Sequence, residues 1–160
     1  MEQSALLRQI ESIPWSEYAQ PEWNKPQSVA LALANAATAE DASSCSVVYD
    51  RVLYAIGNNH AGTYYPVLLA ALPVFESMLS GQAYWPQRGA LCILDDLFAS
   101  FHPEPGFEKV SLHGVVKDVE FAFRSGVLAL RPLLEGLARE ASPNAELASG
   151  LLALIGENGA

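Results

Sequence analysis

Cysteine is scarce in this chain: Cys45 and Cys92 are the only two, far apart and outside any CxxC pair. The pattern supports neither a disulfide framework nor a cysteine zinc site, and reduced, buried thiols are expected instead. Histidine is nearly as sparse. His60, His102 and His113 fall in no HxxxH, HExxH or HxH spacing, so no helix face aims two imidazoles at a metal. Nucleophile signatures are missing as well, with no GxSxG elbow, no SxxK and no obvious local base beside either cysteine. "GNNHAG" at Gly57 has glycines but no P-loop lysine and no expected strand before it, so it does not read as a phosphate cradle. No catalytic set, cofactor or metal is expected, and the chain reads as non-enzymatic.

Basic residues are outnumbered, nine against eighteen acidic ones, for a formal charge of -9. Such a field repels phosphate backbones and anionic membranes, so direct nucleic-acid binding and membrane association are not expected. A basic protein is the partner it would draw in. Long hydrophobic runs are also absent. The most apolar segment, Val67 to Leu79, contains Pro73 and Glu76 and is shorter than the roughly 20 residues a bilayer requires. "MEQSALLRQIES" lacks the basic and apolar regions of a secretory signal, which makes the cytoplasm the expected compartment.

Strand signals are nearly absent too, because Val and Ile sit within segments of helical period rather than in short alternating runs. The fold class predicted is all-α. A 51 % apolar fraction against 17 % charged implies helices buried on more than one face, and 160 residues fit one domain, residues 1–160. A first helix is expected over Ser4–Ile13, followed by an ordered Pro/Trp strap, "PWSEYAQPEWNKP", tied to the body by its aromatic residues. Pro26 opens the next helix. "EDASSCSVVYDRVLYAIG" then puts Cys45, Val48, Tyr49, Val52 and Ile56 on one face, with Glu40 and Asp41 at its positive end and Gly57 and Asn58 as C-terminal caps. Val67 to Leu79 is the expected central helix, and another starts at Pro86. The last third is read as helices over Val115–Arg124, Val127–Ala141 and Ala145–Ile155. About seven helices result.

What the chain does concentrate is "AIGNNHAGTYYP", Ala55 to Pro66, inside a charge desert where Glu76 is the only charged residue between Arg51 and Arg88. A neutral loop rich in Asn and Tyr is either packed beneath a neighbouring element or part of a contact patch. The partner-binding candidates are Asn59, His60, Tyr64 and Tyr65 in this loop, and Asp95, Asp96, Glu104 and Glu108 on an acidic rim beyond it.

"GNNHAGTYYPVLLAALPVFESML" followed by "RGALCILDDL" resembles the HEAT-like helical-repeat proteins of bacteria, over roughly Val47 to Phe101. An echo between "KPQSVALALANA" and "WPQRGALCILDD" points the same way. The resemblance implies stacked antiparallel hairpins in an α-α superhelix, and the role of an immunity protein that occludes a cognate toxin domain. Two rivals stand beside it: an intracellular scaffold or regulator that binds an endogenous protein through the same helical surface, and a small-ligand protein or enzyme with a site under the loop, using His60 and the Tyr pair with Glu76. The oligomeric state is left open.

Overall fold

Asp41 closes a capping box at the start of one helix, α3 (Ala42–Ile56). Its carboxylate accepts the Ser44 N–H at 2.7 Å, and the Ser44 hydroxyl accepts the Asp41 N–H at 3.2 Å. Two donors that a helix start leaves orphaned are satisfied, and the Ser44 N–H holds the Asp41 carboxyl below its usual range. Asp118 caps α6 (Val119–Leu128) with a single bond, its carboxylate accepting the Phe121 N–H at 2.8 Å. Gly81 ends α4 (Val67–Ser80), as its position in the sequence predicts.

The structure, a computed structural model, describes residues 2–158. Around those three helices run α1 (Glu2–Ser12), α2 (Ser28–Ala37), α5 (Tyr84–Ser100), α7 (Arg131–Ala138) and α8 (Asn144–Asn158). The fold is mostly helical, with eight α-helices rather than about seven among the described residues. It is not all-α. Five short strands are present: β1 (Gly57–Asn58), β2 (Thr63–Tyr64), β3 (His102–Pro103), β4 (Lys109–Leu112) and β5 (Val115–Asp118).

Two readings of the last third differ from the structure. Val115 to Arg124 is not one helix, because Val115–Asp118 is the second strand of a hairpin and α6 begins at Val119. The break expected at Ser125–Gly126 does not occur: α6 continues to Leu128, and α7 starts at Arg131 with Pro132 in its first turn. His113 sits in the turn of that hairpin. With φ of 52° at His113 and 79° at Gly114, the pair fits the two-residue type I′ turn, whose twist matches that of the flanking strands.

One connected apolar core holds the helices together. Val67, Leu68, Ala71, Val74, Phe75 and Leu79 of α4 are fully buried, as expected for the central helix. Packing against α2, α3, α4 and α8 also places α5 at the centre. The strap behaves as expected. Trp15 is buried and donates its indole N–H to Ile10 O at 2.9 Å, while the Asn24 amide reaches Ala55 O at 2.7 Å. A buried polar knot fixes the start of α8: Asn144 donates to Tyr84 O and to Gln87 Oε1, and Gln87 donates to Leu79 O. Every one of these contacts joins residues near element ends, where backbone groups need partners from outside the helix.

Candidate partner-binding clefts

The loop from Gly57 to Pro66 folds as a hairpin. Gly57 lies opposite Tyr64 and Asn58 opposite Thr63, and β3 adds to β2 in parallel with Thr63 beside His102. Asn58 rigidifies the turn, its Oδ1 accepting the N–H groups of His60 at 3.1 Å and Ala61 at 3.2 Å. Gly57 and Asn58 therefore start a strand rather than simply capping α3. The hairpin needs Gly57, since a Cβ there would fall on the Thr63 carbonyl oxygen and within 2.8 Å of Tyr64 Cα.

This hairpin divides the predicted contact residues. Tyr64 and Tyr65 belong to the core at 1 % and 8 % exposure, Tyr64 against Phe123 at 5.3 Å and Tyr65 against Phe107 at 4.8 Å between ring centroids. Burial pushes both phenols up from their ordinary value. The packed reading of the charge desert therefore describes the tyrosines. Asn59 and His60 face elsewhere, lining a groove between α2 and α3. Glu76 stands exposed on α4 and is not among the residues of that groove.

The acidic rim is divided as well. Glu104 turns back on the hairpin, its carboxylate accepting the hydroxyl of buried Thr63 and its N–H donating to Tyr64 O at 2.8 Å. Glu108 folds over its own turn, accepting the Gly106 N–H at 2.8 Å. Asp95 and Asp96 line a different cleft, of about 650 Å³, walled by α3, α5 and α8. Tyr49, Tyr84 and Trp85 supply its aromatic lining and Glu146 a third carboxylate; Arg88 is the cation within it.

Arg88 is already engaged, reaching Asn144 Oδ1 at 3.3 Å and the Tyr84 hydroxyl at 3.4 Å. Asp95 and Asp96 have no side-chain hydrogen bond or ion pair among the described residues, and burial raises both carboxyls above the ordinary value of 3.8. Adjacent helical residues point about 100° apart, yet this cleft is broad enough for both to line it. The two thiols border the same cleft. Cys45 donates to Trp85 O at 3.7 Å, and burial raises both thiols, which lowers their reactivity.

No family model matches the chain, and no match was found among curated proteins or solved structures. Its surfaces must therefore speak for themselves. No group of three or more His, Cys, Asp or Glu side chains suited to a metal occurs among the described residues, and no helix is long and apolar enough to cross a membrane.

The raised carboxyls of Asp95 and Asp96 carry a stability prediction with a definite sign. A carboxyl whose folded value lies above its unfolded one costs stability while it is charged. That cost is present above the folded value and absent below 3.8. The Asp95→Asn, Asp96→Asn variant is therefore expected to show a higher urea midpoint than the parent at pH 7. The gap should close as pH falls toward 3.8; equal midpoints at pH 7 would refute the prediction.

Sequence reasoning missed one more surface. Val115, Val116 and Phe121 are exposed at 57 %, 68 % and 73 % on and beside the β4–β5 hairpin. That hairpin pairs with no other strand, so both its edges are free. The His113–Gly114 dipeptide between "KVSL" and "VVKD" was the local signal for it.

Proposed function

We propose that the chain is a non-enzymatic binding protein that occludes a basic protein partner, in the manner of an immunity protein that neutralises a toxin domain. The carrying observation is the cleft between α3, α5 and α8, where Asp95 and Asp96 stand partly desolvated and in no ion pair, the cleft's one lining cation, Arg88, being turned to Asn144 and Tyr84. Holding two like charges in that state costs stability that a partner's Lys or Arg would return on binding. Stability given up at one place on a surface is a common accompaniment of function.

Two further features support the reading. The net charge of -9 would speed encounter with a basic domain, and only two ion pairs, Lys109–Asp118 and Arg124–Glu120, tie up acidic side chains among the described residues. Exposed Val115, Val116 and Phe121, on and beside the β4–β5 hairpin, add an apolar surface that suits a second contact. The stacked-hairpin architecture is part of this proposal. It is supported by the packing of consecutive helices, α2 on α3, α4 on α5 and α7 on α8. Cytoplasmic location goes with the same role.

The direct test is co-expression with the product of the adjacent gene, scored by growth rescue and co-purification. With a complex in hand, Asp95→Lys with Asp96→Lys is expected to weaken binding by about 100-fold and to flatten its salt dependence. Unchanged affinity would remove the cleft from the interface. A scaffold that binds an endogenous protein through the same cleft would co-purify with that protein and rescue nothing.

A further inference from the structure

The β4–β5 hairpin presents a strand edge as well as an apolar surface. Its register pairs Leu112 with Val115, Ser111 with Val116, Val110 with Lys117 and Lys109 with Asp118. One step beyond the last pair, the Val119 N–H donates to Glu108 O at 2.9 Å. Antiparallel ladders alternate between hydrogen-bonded and non-bonded pairs, so Val110–Lys117 and Leu112–Val115 are the bonded ones. The N–H and C=O of Val116 therefore point away from β4. All four residues of β5 are exposed, Val116 at 68 %, so this edge faces solvent.

Charge sets the surface apart from the rest of the chain. Between Lys109 and Arg124 three basic residues, Lys109, Lys117 and Arg124, stand against Asp118 and Glu120, in a chain of -9. The acidic excess lies elsewhere, and both ion pairs of the described residues, Lys109–Asp118 and Arg124–Glu120, fall here. A basic partner gains nothing by approaching such a patch. A second copy of the chain meets its least repulsion there.

The edge is also self-complementary, in one register. Two β5 strands related by a two-fold axis pair antiparallel, with their outward-facing residues opposite one another. An axis through Lys117 sets lysine against lysine, and one through Asp118 sets carboxylate against carboxylate, both of which are destabilising. An axis through Val116 sets valine against valine and Lys117 against Val115, with no like charges opposed.

We propose that the β5 edge is a self-association site, at which two copies of the chain pair antiparallel through Val116 and join their hairpins into one four-stranded sheet. The two Val116 residues exchange N–H···O bonds, and the valines beside the seam lose contact with water. This goes beyond the basic-partner reading and does not depend on it. A seam of two short strands buries less than the roughly 1,200 Å² of stable complexes, so the dimer is a weak one.

Sedimentation velocity on the full chain, from about 20 µM to about 2 mM, is expected to show a monomer–dimer equilibrium with a dissociation constant on the order of 0.5 mM. Raising salt from about 20 to about 300 mM should tighten it about threefold, because the remainder of each copy is acidic and that repulsion is screened. Val116→Pro removes an N–H that the hairpin does not use, and Val116→Lys opposes two ammonium groups across the seam. Each should weaken the dimer about tenfold or more while leaving the thermal midpoint of the dilute chain unchanged. A chain that stays monomeric at about 2 mM, or a dimer indifferent to Val116→Lys, would overturn the proposal. So would a dimer that loosens as salt rises, which is the behaviour of the Asp95–Asp96 cleft taking a cation from another copy.

Discussion

Phe123→Ala is expected to lower stability by about 3–5 kcal/mol, a large share of the roughly 5–15 kcal/mol that a domain has. Phe123 is 1 % exposed, and its ring touches two others that come from distant parts of the chain. Tyr64 of β2 lies at 5.3 Å and Phe98 of α5 at 6.5 Å between centroids. Truncation removes the buried area and leaves a cavity that three separate elements would have to move to fill. Arg124, whose guanidinium lies 4.5 Å from the Phe98 ring centroid, cannot follow without losing that contact. A urea denaturation curve reads the loss directly. A cost under about 1 kcal/mol would show that α6 packs more loosely on this core than its burial implies.

Gly57→Ala is expected to cost about 3 kcal/mol, by contact rather than by conformation. The backbone at Gly57 is extended, with φ at -168°, so alanine could adopt it. Its Cβ, however, would meet the Thr63 carbonyl oxygen and Tyr64 Cα, which are backbone atoms of the paired strand and cannot swing aside. Opening this hairpin would displace Tyr64 from the core and Asn59 from the groove. Gly89→Ala is the matched control. Its Cβ would meet only Cys45 Sγ, at 3.7 Å, an ordinary contact in the interior of α5. If both alanines prove equally mild, the close approach at Gly57 is not the reason for glycine there.

Legibility followed the range over which each feature is encoded. The apolar period of α3 and α4, the acidic residues at the start of α3 and the ordered strap were readable because each depends on residues close to one another in sequence. Asn59, His60, Asp95 and Asp96 were candidates on the sequence alone, and the structure sends the first two to one side of α3 and the last two to the other. The two-residue strands were unreadable, since Thr63 becomes a strand residue only by lying between Asn58 and His102. In the last third, "KVSLHGVVKD" did carry a turn signal. The apolar valines around it blurred into the period of the helix that follows.

By itself the sequence determined a mostly helical, strongly acidic, thiol-poor protein with no metal or nucleophile signature, because composition and short-range periodicity are properties of the chain. Tertiary structure decided which polar groups stand together. It buried Tyr64 and Tyr65, left Asp95 and Asp96 without an ion pair between three helices, and brought Trp23 against Tyr54 across 31 steps of sequence. Proximity of that kind arises when helices exclude water from their apolar faces. Which side chains then meet at the edges is set by the packing of the whole core, not by any local stretch.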